Sequence, residues 1–296
     1  MAIEFADVAS GVRLAYERLG EPSAPPVMLM MGIGAQLFAW PDGLCDALVA
    51  RGLQLVRFDN RDAGLSTHIV NAPAPNLPAA LAGDYSSASY TLSDMAHDVV
   101  GLCDALGFAS VHVVGASMGG FIAQTVAIEY PQRVRSLTSI MATTGDPKIG
   151  QAHADVLREF AKAGGGPVSR EAVVQRNVDI FRIVGSPGYP TGEHVVAERA
   201  GRAFDRAFDP IGMARQAVAV VASGDRTAKL REVRVPALVI HGADDKMCDV
   251  SGGRATAAAI PGAELIVIDG MGHDLPAPLW RRLADAISDH VLRASA

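Results

Sequence analysis

Residues 111–120 read Val-His-Val-Val-Gly-Ala-Ser-Met-Gly-Gly, and few folds accommodate such a run followed by a helix-forming stretch. The β-branched apolar residues of 111–114 predict a buried strand, and residues 121–130 predict a helix. Between them, Gly115-Ala116-Ser117-Met118-Gly119 fits G-x-S-x-G. A strand that turns this sharply into a helix needs glycine where a side chain would strike the neighbouring elements. The turn strains the serine backbone and lifts the hydroxyl to the sheet's edge, ahead of helix amides that lack intrahelical acceptors. Ser117 is therefore the candidate nucleophile, and the Met118 N–H is a candidate donor to a developing oxyanion.

Strand and helix patterns alternate on either side of this motif. Strands are expected at 2–8, 12–18, 27–31, 53–58, 111–114, 134–141, 236–241 and 265–268. Helices are expected at 42–51, 92–106, 121–130, 252–259 and 279–292. In 92–106, Met95, Val99, Leu102 and Leu106 share a face, and Gly107 is a natural stop. Alternation of this kind predicts an α/β fold with a mostly parallel eight-stranded sheet covered by helices on both faces. The pattern breaks at 145–231, which holds helical stretches, no convincing buried strand, and punctuation at Gly164-Gly165-Gly166 and Gly185-Ser186-Pro187-Gly188. The expected organisation is a core of 1–144 and 232–296 with a helical cap, 145–231, inserted over the active site.

A serine nucleophile needs a base, and the base needs a carboxylate to fix its tautomer. For a nucleophile on this kind of turn, the acid and then the histidine follow in the chain. The strand at 236–241 runs into His241-Gly242-Ala243-Asp244-Asp245, which makes Asp245 the expected acid and Asp244 the alternative. The strand at 265–268 leads to Gly270-Met271-Gly272-His273-Asp274, which places His273 on a glycine-flexed loop as the base. The bend Met31-Gly32-Ile33-Gly34 follows another strand end and assigns the second oxyanion donor to the Ile33 amide. His241 and His112 are expected to be packed, and no H-x-x-x-H or paired Cys/His spacing suggests a metal site.

Gly32, Leu37, Phe38, Trp40, Met141 and the cap residue Phe181 are candidates for a substrate pocket, with core packing the alternative for Leu37, Phe38, Trp40, Met118 and Met141. Tyr189, Phe204 and Phe208 also fall in the cap. The run Asp59-Asn60-Arg61-Asp62-Ala63-Gly64-Leu65-Ser66 reads as a salt-bridged turn close to the site but outside its chemistry. The net charge of -6 argues against nucleic acid or an anionic membrane as the main partner. No apolar run is long enough to span a bilayer, and the first residues lack a basic, apolar leader pattern. Cys45, Cys103 and Cys248 form neither a disulfide framework nor a zinc pattern, so buried thiols in a cytoplasmic protein are expected.

On Gly115-Ala116-Ser117-Met118-Gly119, the Asp59 to Ser66 turn, His241-Gly242-Ala243-Asp244-Asp245 and Gly272-His273, the chain resembles the α/β-hydrolase superfamily over nearly its whole length. Met31-Gly32 at the oxyanion loop (in place of the usual His-Gly), Trp40-Pro41 and Met118 make it similar to the group of aclacinomycin methylesterase and macrolide esterases. The resemblance implies serine-dependent hydrolysis of a small-molecule ester, a polyketide methyl ester or a lactone, with no cofactor. Alternatives on the same triad are amide or C–C bond hydrolysis, cofactor-free perhydrolysis, or ligand binding without turnover.

Overall fold

The computed structural model describes residues 3–163 and 168–295; Gly164, Gly165 and Gly166, and the first residue of the strand expected at 2–8, lie outside them. Eight strands, β1 (Glu4–Asp7), β2 (Arg13–Leu19), β3 (Pro26–Met30), β4 (Gln54–Phe58), β5 (Val111–Ala116), β6 (Val134–Ile140), β7 (Ala237–Gly242) and β8 (Glu264–Ile268), form one sheet in the order β1-β2-β4-β3-β5-β6-β7-β8. β2 pairs antiparallel with both β1 and β4, and all other pairs are parallel.

The helices follow the expected alternation. They are α1 (Asp42–Val49), α2 (Leu77–Leu81), α3 (Leu92–Ala105), α4 (Met118–Glu129), α5 (Ala154–Ala163), α6 (Arg170–Val184), α7 (Glu193–Arg206), α8 (Pro210–Ser223), α9 (Thr227–Leu230), α10 (Ser251–Ala259) and α11 (Trp280–Arg293). Helix α2 has no counterpart in the sequence reading. It is short, and it starts where Asn76 accepts the Ala79 N–H and Pro78 occupies the first turn. Within 145–231 the described residues contain five helices and no strand.

Period-two alternation divides the apolar side chains between two cores. Met28, Met30 and Val113 pack with Met95, Val99, Leu102, Ile122 and Val126 on one face. Val27, Leu29, Val114 and Ile240 pack with Leu44, Leu48, Leu283 and Ile287 on the other. Burial on both faces explains why the central strands read as continuous apolar runs, each fully buried Val or Leu contributing roughly 1.5–3 kcal/mol. The parallel register aligns Met30 with Gly115, Ala116 with Ile140, and Gly242 with Ile268. The loops after β3, β5, β7 and β8 therefore leave the sheet at one edge, where ligands of open parallel sheets bind.

Candidate active site

β5 runs two residues further than its β-branched run, and α4 starts at Met118 rather than at 121, so the turn between them is a single residue, Ser117. Its backbone sits at φ 56°, ψ −125°, a conformation that costs a non-glycine residue about 1–3 kcal/mol. Close packing around it explains the flanking glycines. A Cβ on Gly115 would stand 1.9 Å from the Gly119 carbonyl oxygen, and one on Gly119 would stand 2.1 Å from that of Met30.

The structure brings Ser117, His273 and Asp245 together from three loops. His273 Nε2 lies 3.0 Å from the Ser117 hydroxyl, and His273 Nδ1 lies 2.7 Å from an Asp245 carboxylate oxygen. With Nδ1 donating to Asp245, Nε2 is left to accept the serine proton. The other Asp245 oxygen accepts the N–H groups of Met247 and Cys248, both at 2.9 Å. Burial alone would raise the Asp245 pKa; the His273 charge, bonds from His241 and His273, and the Cys248 N–H together hold it below the ordinary carboxylate range. Asp244, by contrast, is exposed and accepts the Gly270 N–H at 2.8 Å. His241 is wholly buried, with Nε2 donating to the Cys248 carbonyl at 2.7 Å.

The histidine loop is fastened to the helical segment. His273 N–H donates to the Val184 carbonyl at 2.7 Å, and Gly272 N–H donates to Ser186 Oγ at 2.9 Å. Ser186 in turn donates from its N–H to the Asp274 carboxylate at 3.0 Å.

Gly32 lies against Ser117, since a Cβ built on it would be 3.1 Å from Ser117 Cβ. The Met118 N–H opens α4 and has no intrahelical acceptor, and the Ile33 N–H makes no hydrogen bond among the described residues. Gln216, on α8, went unread in the sequence. It is wholly buried, its Oε1 accepts the Gly34 N–H and its Nε2 donates to the Arg61 carbonyl, both at 2.7 Å. It thereby fixes the residue after Ile33 from the helical segment. The available signal was a glutamine immediately before the apolar run of 217–222.

The Asp59 to Ser66 turn anchors the same loop. Asp59 accepts the Leu37 N–H at 2.7 Å and pairs with Arg206 at 2.8 Å, and the Asn60 amide donates to the Met31 carbonyl. Arg61 is held by Asp98, and Asp62 accepts the Tyr90 hydroxyl at 2.7 Å. The ligand atoms of Asp62, His68 and Asp209 lie within 4.8 Å of one another. They are engaged in bonds of their own: His68 contacts Asp209 at 2.6 Å and the Gly64 carbonyl at 3.0 Å. Burial would lower the His68 pKa, but the Gly64 carbonyl and Asp209 outweigh it and raise it.

Among the expected pocket residues, Trp40 is wholly buried and, with Met141, packs in the apolar core; Leu37 is also buried. Phe38 lies under the α7 guanidinium groups of Arg202 and Arg206. Phe181 is half-buried on α6, and a Cβ on Gly185 would be 2.7 Å from its ring. Phe204 and Phe208 stack at 4.9 Å and line a cavity of about 80 Å³ with Gly34, Ala63 and Met213.

Comparison with known proteins agrees with this architecture. A sequence profile described as the alpha/beta hydrolase fold matches residues 25–276. The chain belongs to this family. Within it, this alpha/beta hydrolase is 28% identical over 308 residues to rhodomycin D methylesterase DnrP of Streptomyces peucetius, the match covering 96% of each chain. It is 25% identical to the enol-lactonase from Burkholderia xenovorans LB400, whose crystal structure superposes with a TM-score of 0.73 over 98% of this chain and 99% of that one. A hydrolase from Pseudomonas aeruginosa PA01 is similar at 25% identity and a TM-score of 0.72, covering 99% and 98%. No described helix is long and apolar enough to cross a membrane.

Proposed function

We propose that this alpha/beta hydrolase is a serine-dependent carboxylic ester hydrolase, with Ser117 as nucleophile, His273 as base and Asp245 as the acid that orients it. The observation that carries the reading is the bonded line of Asp245, His273 and a strained Ser117, at 2.7 and 3.0 Å. His273 takes the Ser117 proton as Oγ attacks the ester carbonyl carbon. Asp245 stabilises the imidazolium, and the amides of Ile33 and Met118 hold the oxyanion. The carbon–oxygen bond to the leaving alcohol then breaks, and His273 returns the proton to that alcohol. Water, deprotonated by His273, cleaves the acyl-enzyme and regenerates Ser117.

Residues 145–231 act as a cap, with Phe38 and Phe181 the expected pocket residues that stand at its boundary. Methylesterase and enol-lactonase relatives support an ester or lactone as substrate, a polyketide methyl ester or macrolide lactone being the narrower reading. The test is mass-spectrometric turnover of a panel of aryl esters, polyketide methyl esters and lactones by wild type and Ser117→Ala. Wild type should hydrolyse at least one member, and Ser117→Ala should lose on the order of 10⁴-fold or more while its far-UV spectrum is unchanged. A folded Ser117→Ala variant with undiminished turnover would overturn the assignment.

A further inference from the structure

Arg199, Arg202 and Arg206 share one face of α7, at spacings of three and four residues. They differ in their surroundings. Arg206 is matched, 2.8 Å from Asp59 and donating to Gln36 Oε1 at 2.6 Å. Neither Arg199 nor Arg202 has a hydrogen bond or ion pair among the described residues. Arg202 is exposed and lies 4.2 Å from the Phe38 ring centroid. Arg199 is half-buried, with its guanidinium 5.7 Å from the centroid of Phe181.

The position of Arg199 follows from packing. Phe181 lies against Gly185. The carbonyl oxygens of Val184 and Gly185 pack on Gly272, where a Cβ would stand 2.4 and 2.6 Å from them. The Val184 carbonyl also receives the His273 N–H. Arg199 therefore stands over a ring that packs on Gly185, whose carbonyl in turn packs on the histidine loop at Gly272. Asp274 is the acid whose charge reaches it, yet that carboxylate is spent on the N–H and hydroxyl of Ser186. Burial lowers the Arg199 pKa and Asp274 only partly opposes this, as expected for a cation withdrawn from water without a bonded acid.

We propose that Arg199 is a specificity residue that binds a carboxylate on the substrate, so that the preferred esters carry a free acid group separated from the scissile bond by a short chain. The inference rests on the serine-hydrolase reading above. A guanidinium fork matches a planar carboxylate with two parallel hydrogen bonds, and one such cation balances one such anion. The chain's net charge of -6 would otherwise disfavour an acidic ester, so a local cation is what such a substrate requires. Bond cleavage is unchanged: the ester is hydrolysed by the same steps, and the remote carboxylate is only held.

The test uses the intact protein and two matched sets of methyl esters, with methanol release as the readout. One set is the monomethyl esters of succinic, glutaric, adipic and suberic acids, a series because the span from Ser117 to Arg199 selects one length. The other set is the methyl esters of the corresponding monocarboxylic acids. Wild type should favour one acid ester over its neutral partner by on the order of tenfold or more in kcat/KM. Arg199→Gln should collapse that ratio, chiefly through KM, and Arg199→Lys should retain part of it. The ratio is internal to each variant, so partial unfolding lowers both rates without moving it. Equal or better use of the neutral esters by wild type, or an unchanged ratio in folded Arg199→Gln, overturns the proposal and leaves the nucleophile assignment standing. Hydrolysis of either set that persists in Ser117→Ala overturns both.

Discussion

The sheet and the helical segment of 145–231 are held together by different means. Every residue of β5 and β7 is buried, and the loops at their ends carry Ser117 and Asp245. On α6 and α7 the described buried residues are Val173, Val178, Val184, Val196 and Gly201, and their surface is laced with exposed pairs such as Arg170–Asp205 and Arg182–Glu193. Close packing leaves one arrangement for the reacting groups, whereas a lightly buried, ion-paired surface tolerates sequence change. Under the proposed function, the core would set the geometry of the reaction and the helical segment would set what reaches it. The segment is nonetheless fastened to the core at two chemically sensitive places, His273 through Val184 and the Ile33–Gly34 loop through Gln216.

Four substitutions or conditions would break or sharpen this contrast. The largest effect is expected at the acid. Asp245→Asn should cost on the order of 10³–10⁴-fold in kcat, because the amide presents His273 with the wrong tautomer. Asp244→Asn, one residue away and exposed, should stay within a few-fold, and steady-state kinetics on the two variants side by side would expose a reversed assignment.

Gln216→Ala tests the fastening itself. It strips the half-buried Gly34 N–H and the buried Arg61 carbonyl of their partners, at about 1–3 kcal/mol of stability. If the segment helps place the Ile33 amide, kcat should fall about tenfold with KM little changed. Denaturant melts alongside kinetics would separate the two, and a stability loss with intact kcat would confine Gln216 to packing.

A third condition probes the core end remote from the site. His112, buried between Ser136 and Ser295, is pushed down to about 4 from 6.5, by burial first and then by the charges of Arg135 and His290. The unfolded chain then binds the proton more tightly than the folded one. Its contribution is complete above the unfolded value of 6.5 and is lost as pH falls toward 4, at a slope on the order of 1 kcal/mol per pH unit. Urea midpoints measured across that window should decline for wild type and decline less for His112→Gln.

The smallest effect is expected on the segment's surface. Arg182→Ala breaks exposed, solvent-screened pairs with Asp179 and Glu193 and should leave the thermal midpoint close to that of wild type. A larger shift in the thermal midpoint would mean that the segment depends on its ion pairs.

Much of this was legible along the chain. Apolar runs bounded by turn residues located the central strands β3, β5 and β7, because strands buried on both faces are largely apolar. Boundaries moved by one to three residues, and α2 went unread because its Asn76 start is local chemistry without an apolar period. The Asp59 to Ser66 turn was legible as a salt-bridged turn, but its grip on Leu37 and Met31 was not, since hydrogen bonds from other strand ends leave no local mark.

The sequence by itself determined the order of the candidate groups along the chain: a serine in a glycine-tight turn, then an acid, then a histidine, each just past an apolar run. It could do so because backbone strain and burial restrict which residue types a position accepts. Tertiary structure alone decided which of Asp244 and Asp245 faces His273, that Trp40 is core, that Gln216 reaches the loop after β3 at Gly34 and that Arg199 is left without a bonded acid. Those outcomes depend on the register of parallel strands and on where a helix comes to rest, which are set by contacts between residues far apart in the chain.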